Sequence, residues 1–277
     1  AYEIASCLVV SEMCIRDSIM PDVVGSARSE RTGGAVYSRD RYVSLGNDIY
    51  RRSFAIIRDE SDLSRFSADD ETVAVRMIHA AGDVSLADDI VFSDGAVRVG
   101  RAALESGAPI FTDVRMVSSG VTRRRLPADN DVECLLNTPG VAEKARELST
   151  TRSAAAIDVC ADRLGGAVVA IGNAPTALFH LMDVLAARPE LKRPAVIIGI
   201  PVGFVGAAES KSELEERAES LGVEFITVRG RRGGSAITCA AINALARRNE
   251  LMDESQTSTK GAADSNDAAI KGEAEVR

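Results

Sequence analysis

Three consecutive stretches decide the fold: AVVAIGNAPTALFHLMDVL (Ala167–Leu185), AVIIGIPVGFVGAAESKSELEERAES (Ala195–Ser220) and FITVRGRRGGSAITCAAINALA (Phe225–Ala246). Each opens with an apolar, β-branched run of strand length, passes through a loop containing Gly or Pro, and continues as a segment of helix length. Strand, crossover and strand at roughly 30-residue spacing imply neighbouring parallel strands, since antiparallel neighbours need only a short hairpin. The upstream chain fits the same scheme. Asp48–Ile57 and Asp69–Ala81 carry apolar residues at helical spacing. The second is preceded by Ser67, with Asp70 three residues later in a capping-box arrangement, and it stops at Gly82. Pro109–Asp113 and Val132–Leu136 read as short strands and Ser153–Leu164 as a helix. The expected fold is α/β, a single doubly wound, mainly parallel sheet with helices on both faces.

The bulk numbers are compatible with that reading. A chain of 277 residues, 45% hydrophobic and 27% charged, can bury a sizeable core. Aromatics make up only 4% and Trp is absent, which favours helices packed on a parallel sheet over a β-sandwich. A formal net charge of −8 argues against a nucleic-acid surface. Cys7, Cys14, Cys134, Cys160 and Cys239 show no CxxC or Cys/His metal spacing, and only His79 and His180 could add imidazole ligands. No metal site is expected, and reduced buried thiols in a cytoplasmic protein are the plain expectation.

Residues 36–250 are expected to form one domain. The first 35 residues read as a non-native-looking or disordered extension, in which CLVVSEMCIRDS resembles a translated sequencing adapter. Glu12, Arg16 and Asp17 break its apolar stretch, so it reads as neither signal peptide nor membrane span. Residues 251–277 are rich in Ser, Thr, Asp, Ala and Lys without apolar periodicity and read as a disordered acidic tail.

Open α/β sheets bind ligands at the carboxyl ends of their strands, where loops feed helix N-termini. All three C-terminal loops place Gly or Pro there: Gly172 to Pro175, Pro201 to Gly206, and Gly230 to Gly234. Arg229, Arg231 and Arg232 crowd the last of these, Arg123 to Arg125 follow the PIFTD strand, and Arg152 opens a helix. Such a gathering in a net-acidic chain suits a polyanion, although taken singly most of these arginines read as solvated surface residues. A nucleotide is not supported, because neither a dinucleotide fingerprint nor a P-loop is present. No GxSxG elbow marks a hydrolase. His79 falls in the last turn of its helix, close to Asp83. Both features are expected to raise its pKa and suit it to proton donation, while a histidine that merely caps the helix remains the alternative. His180, among apolar helix positions, reads as structural.

The segments YRRSFAIIR (Tyr50–Arg58), VRMIHAAGD (Val75–Asp83), DVRMVSSGVTR (Asp113–Arg123), RSAAA (Arg152–Ala156), AIGNAPTALF (Ala170–Phe179), IPVGFVGAAESK (Ile200–Lys211) and RGRRGGS (Arg229–Ser235) occur in this order. From about Tyr37 to Leu245, the chain resembles the precorrin-8X methylmutases of cobalamin biosynthesis. The resemblance implies an isomerase that moves a methyl group from C11 to C12 of a corrin precursor, giving hydrogenobyrinate, or cobyrinate where cobalt is already in place. It implies no cofactor, a homodimer, and His79 as the essential acid–base residue. Implied substrate-binding residues are Ser53, Arg152, Asp113, Met116, Val117, Gly120, Asn173, Thr176, Gly203 and Arg231. The tetrapyrrole bears several carboxylates, the polyanion that the arginines and loops suit. A nucleotide-dependent oxidoreductase and a non-catalytic corrinoid carrier are the competing readings. The first lacks its fingerprint and the second has no need of a proton donor.

Overall fold

In the computed structural model, residue 43 and residues 46–250 are described, so the expectations for residues 1–35 and 251–277 lie outside the described residues. Six strands form one sheet: β1 (Ile90–Phe92), β2 (Ile110–Thr112), β3 (Val132–Cys134), β4 (Val168–Ile171), β5 (Val196–Gly199) and β6 (Phe225–Val228). Their spatial order is β1-β6-β5-β4-β2-β3. All neighbours are parallel except β1, which runs antiparallel to β6 with Ile90 opposite Val228.

Successive side chains on the central strands enter opposite cores. Val168 and Ala170 face one core, Val169 and Ile171 the other; Val196 and Ile198 likewise oppose Ile197. Strands apolar on both faces need helices on both faces. The first core is covered by α1 (Gly46–Glu60), α2 (Ala68–Ala81), α3 (Ala96–Glu105), α4 (Arg115–Gly120) and α9 (Ser235–Leu245). The second is covered by α5 (Val141–Glu147), α6 (Arg152–Cys160), α7 (Pro175–Ala187) and α8 (Ala207–Leu221). The doubly wound fold expected from the sequence is the fold observed. Among the described residues, no helix is long and apolar enough to cross a membrane.

Two features of the topology position the site. The chain passes from β2 to α4 on the first core, and from β4 to α7 on the second. Neighbouring strands whose helices diverge to opposite faces leave a crevice at their carboxyl ends. The second feature is the reversed edge strand. Because β1 is antiparallel, its start lies beside the carboxyl ends of the other strands. The short segment 82–89 joins α2 to β1, so it delivers the C-terminal end of α2 to that same edge. Sequence patterning assigned nothing between Gly82 and Pro109 and so missed both β1 and α3. A three-residue strand flanked by acids is too short to show an alternation.

Helix α2 starts as expected, with Asp70 N donating to Ser67 Oγ at 3.2 Å. The reciprocal bond differs from a capping box, since the Ser67 hydroxyl donates to the Asp70 carboxylate at 2.7 Å. Asp is one methylene shorter than the Glu of the usual pair. The helix ends at Gly82 in the left-handed region, φ 65°, with its N–H bonded to the Ile78 carbonyl. A Cβ at Gly82 would meet no atom within 4 Å. Gly82→Ala is therefore expected to lower stability by about 1 kcal/mol in urea unfolding, from backbone strain alone. A loss above roughly 3 kcal/mol would contradict that account.

Candidate active site

The carboxyl ends of β2 and β4 are joined through Asp113, which is buried just beyond the end of β2. Its Oδ1 accepts the Gly172 N–H at 3.0 Å, and its Oδ2 accepts those of Asn173 and Ala174 at 2.9 and 2.8 Å. Burial pushes the carboxyl pKa upward, against these amides, which hold the charged form. The carboxylate is thus committed to shaping the loop before α7. Thr151 caps α6 and its hydroxyl lies 2.8 Å from that of Thr176, so the N-termini of α6 and α7 are joined. This brings Arg152, Asn173 and Thr176 together. Arg152 is exposed and has no acidic partner among the described residues.

Helix α4 is seated on α9. Cys239 Sγ donates to the Val117 carbonyl at 3.2 Å and Asn243 Nδ2 to that of Gly120 at 3.0 Å. Val117 is fully buried in the first core, so it stands behind the surface a ligand would meet, as Asp113 does. Met116 is half-buried beside it.

The two remaining loops are stitched together. Gly234 N donates to Ile200 O at 2.9 Å, and Gly203 N to Arg231 O at 3.4 Å. At Gly233 a Cβ would lie 2.6 Å from the carbonyl oxygens of both Ile200 and Pro201, so only glycine allows this approach. The Arg231 guanidinium lies 5.3 Å from the centre of the Phe204 ring.

The arginine cluster divides by function. Arg229 pairs with Glu215, and Arg232 with Asp83 and Asp89. Arg125 is buried and donates to the Asn243 carbonyl at 3.0 Å, while Arg123 reaches the Val132 carbonyl at 3.4 Å. These groups hold the protein together, where the sequence left them between a ligand and the solvated surface. Among the described residues, no acid pairs with Arg152 or Arg231.

His79 is half-buried in the last turn of α2. Its ring lies 5.3 Å from the rings of both Tyr50 and Phe54, which project from α1 one turn apart. No described residue hydrogen-bonds its ring nitrogens, which removes the capping-histidine reading. The expected rise in its pKa is also corrected. Burial, with Arg76 nearby, lowers it below the usual 6.5. Asp83 does not offset this, because its carboxylate is taken by Ser85 and Arg232. Ser53 sits between Tyr50 and Phe54 on α1, half-buried and not bonded to His79. His180 lies 3.6 Å from Asp158, between α6 and α7, but its buried Nε2 has no hydrogen-bond partner among the described residues, so the expected satisfied structural histidine is not what the fold provides. Sequence reading passed over Tyr50 and Phe54, although their i, i+4 spacing beside Ser53 carried the signal.

Together these features define an α/β protein that brings a half-buried histidine, and two arginines with no acidic partner among the described residues, toward the carboxyl edge of its sheet. The sequence profile of the precorrin-8X methylmutases matches residues 48–248, and the chain belongs to that family, isomerases of cobalamin biosynthesis. It is 57% identical to the precorrin-8X methylmutase of a Sinorhizobium species, over 74% of this chain and 96% of that protein. Identity to the precorrin-8X methylmutase of Pseudomonas aeruginosa is 55%, over 76% and 99%. The crystal structure of the Thermus thermophilus precorrin-8X methylmutase superposes with a TM-score of 0.64 at 39% identity, covering 73% of this chain and 95% of that one.

Titration of the His79 ring by NMR in the ligand-free protein is expected to give a pKa below 6.5. It should rise when a polycarboxylate product binds beside it. A ligand-free value at or above 6.5 would contradict the environment described. Asp113→Asn puts an amide group where two oxygens accept three N–H bonds, and is expected to cost about 1–3 kcal/mol in thermal unfolding.

Proposed function

We propose that this chain moves the C11 methyl of precorrin-8X to C12, with His79 as the proton donor that sets the reactive tautomer of the macrocycle. The observation that carries this reading is the delivery of His79 toward the sheet's carboxyl edge, together with Arg152 and Arg231, which have no acidic partner among the described residues. A suprafacial methyl shift needs neither redox chemistry nor a nucleophile. It needs a large ring held in one orientation and a proton placed beside the migrating system.

The chain's residues divide that work. Arg152 and Arg231 hold peripheral carboxylates, with Asn173 and Thr176 and the loop at Gly203 completing the contacts. Asp113 and the α4 segment from Met116 to Gly120 act behind them, fixing the loops. Ser53 bonds the ring rather than His79. With its pKa lowered, His79 is neutral in the empty protein at neutral pH. An arriving polyanion favours the imidazolium, so the proton is taken up as the substrate is bound and is then available to the macrocycle.

We place the catalytic domain at residues 36–250, in a cytoplasmic homodimer. Ile49 and Ile56 support the pairing, since they lie two turns apart and exposed on α1 beside the histidine. The metal-free substrate is favoured because relatives at 57% and 55% identity are named for precorrin-8X.

The change in visible absorption on rearrangement tests the reaction directly, with metal-free and cobalt-containing substrates compared. His79→Ala is expected to lower kcat by about 100-fold or more while product binding changes only a few-fold. Retained turnover would exclude His79 as the donor. Arg152→Met should raise KM roughly tenfold or more, with a smaller effect on kcat.

A further inference from the structure

Lys211 lies on the buried face of α8 with no exposed surface (0%). Its Nζ donates to the carbonyl oxygen of Arg232 at 2.6 Å. Burial lowers its pKa to about 8, with Asp89 pulling the other way. That carboxylate is shared, because it also pairs with the Arg232 guanidinium. Burying an ammonium group with only a shared acid nearby is unfavourable, and an apolar side chain of similar length would fill the space at lower cost. Stability alone does not account for a lysine here.

What it fastens does. The Arg232 carbonyl belongs to the turn that carries Arg231, and that turn is bonded to the Ile200–Gly206 loop through Gly234 and Gly203. From the same residue, the guanidinium reaches Asp83 Oδ2 at 2.7 Å and Ser85 Oγ at 2.8 Å, in the segment directly behind His79. Lys211 therefore ties α8, both loops and the end of α2 together at a single residue. The outer side of these loops presents Phe204 and Val205 at 83% and 89% exposure, with Arg231 over the Phe204 ring.

We propose that Lys211 is a positioning residue for the methyl shift, whose hydrogen bond to the Arg232 carbonyl fixes the Arg229–Gly234 turn so that Arg231 meets a substrate carboxylate. This rests on the reading of the crevice as the tetrapyrrole site. Lys211 itself touches no substrate; it acts through Arg231.

The test compares full-length wild type, Lys211→Met, Arg231→Met and the double variant, using metal-free precorrin-8X, the absorption assay and thermal melting. Lys211→Met is expected to melt at or above the wild-type temperature, with KM raised roughly tenfold and kcat held within about twofold. The double variant should bind substrate no worse than Arg231→Met alone, because the two residues act on one contact. An unchanged KM for Lys211→Met, or losses that multiply in the double variant, would overturn the proposal. So would a Lys211→Met chain that melts well below wild type or does not fold, since the lysine would then serve stability. Wild-type protein without turnover would instead remove the functional reading beneath it.

Discussion

Because β4 and β5 bury side chains on both faces, their connections cannot stay within the sheet and must climb onto helices on one side or the other. All loops that leave the parallel strands at their carboxyl ends consequently gather along one edge, which is where the proposed site is centred. Asp113 joins the ends of β2 and β4 with three amide bonds, while Gly233 lets the loops after β5 and β6 meet. The site is a by-product of two-sided burial, refined by a few polar contacts.

Charge is distributed along that edge with a clear division. Arginines paired with acids or carbonyls, such as Arg232 with Asp83 and Asp89, fix one segment against another. Arg152 and Arg231, which have no acidic partner among the described residues, are the ones proposed to meet the tetrapyrrole's carboxylates. The histidine follows the same logic in reverse. Packed against Tyr50 and Phe54, it has its pKa lowered by burial, and in the mechanism proposed it takes up its proton only as the negative ligand arrives. Lys211 shows a comparable tension, with a charge kept in the interior against its desolvation cost.

Much of the architecture was legible in the sequence. Three apolar runs, each followed by a Gly-containing loop and a helix, specify parallel strands, because no other arrangement accommodates that order and spacing. The boundaries of α2 followed from Ser67 and Gly82, whose local chemistry does not depend on the rest of the fold. Motifs such as IGNAPTALF and PVGFVGAAESK pointed to the family that the matches at residues 48–248 show.

What the sequence determined by itself were properties set by neighbours along the chain: helix ends, strand runs, and the identity of the motif residues. Tertiary structure alone decided that β1 runs against β6, because three residues of strand carry no signal of direction and pairing joins positions over a hundred residues apart. It also decided which arginines remain unpaired and which way the His79 pKa moves. A local reading set the helix terminus and Asp83 around the imidazole and concluded that its pKa rises. In the folded chain, burial outweighs the helix end and Asp83 turns away to Arg232. Desolvation depends on what packs around a group from distant segments, and no stretch of sequence near His79 contains that information.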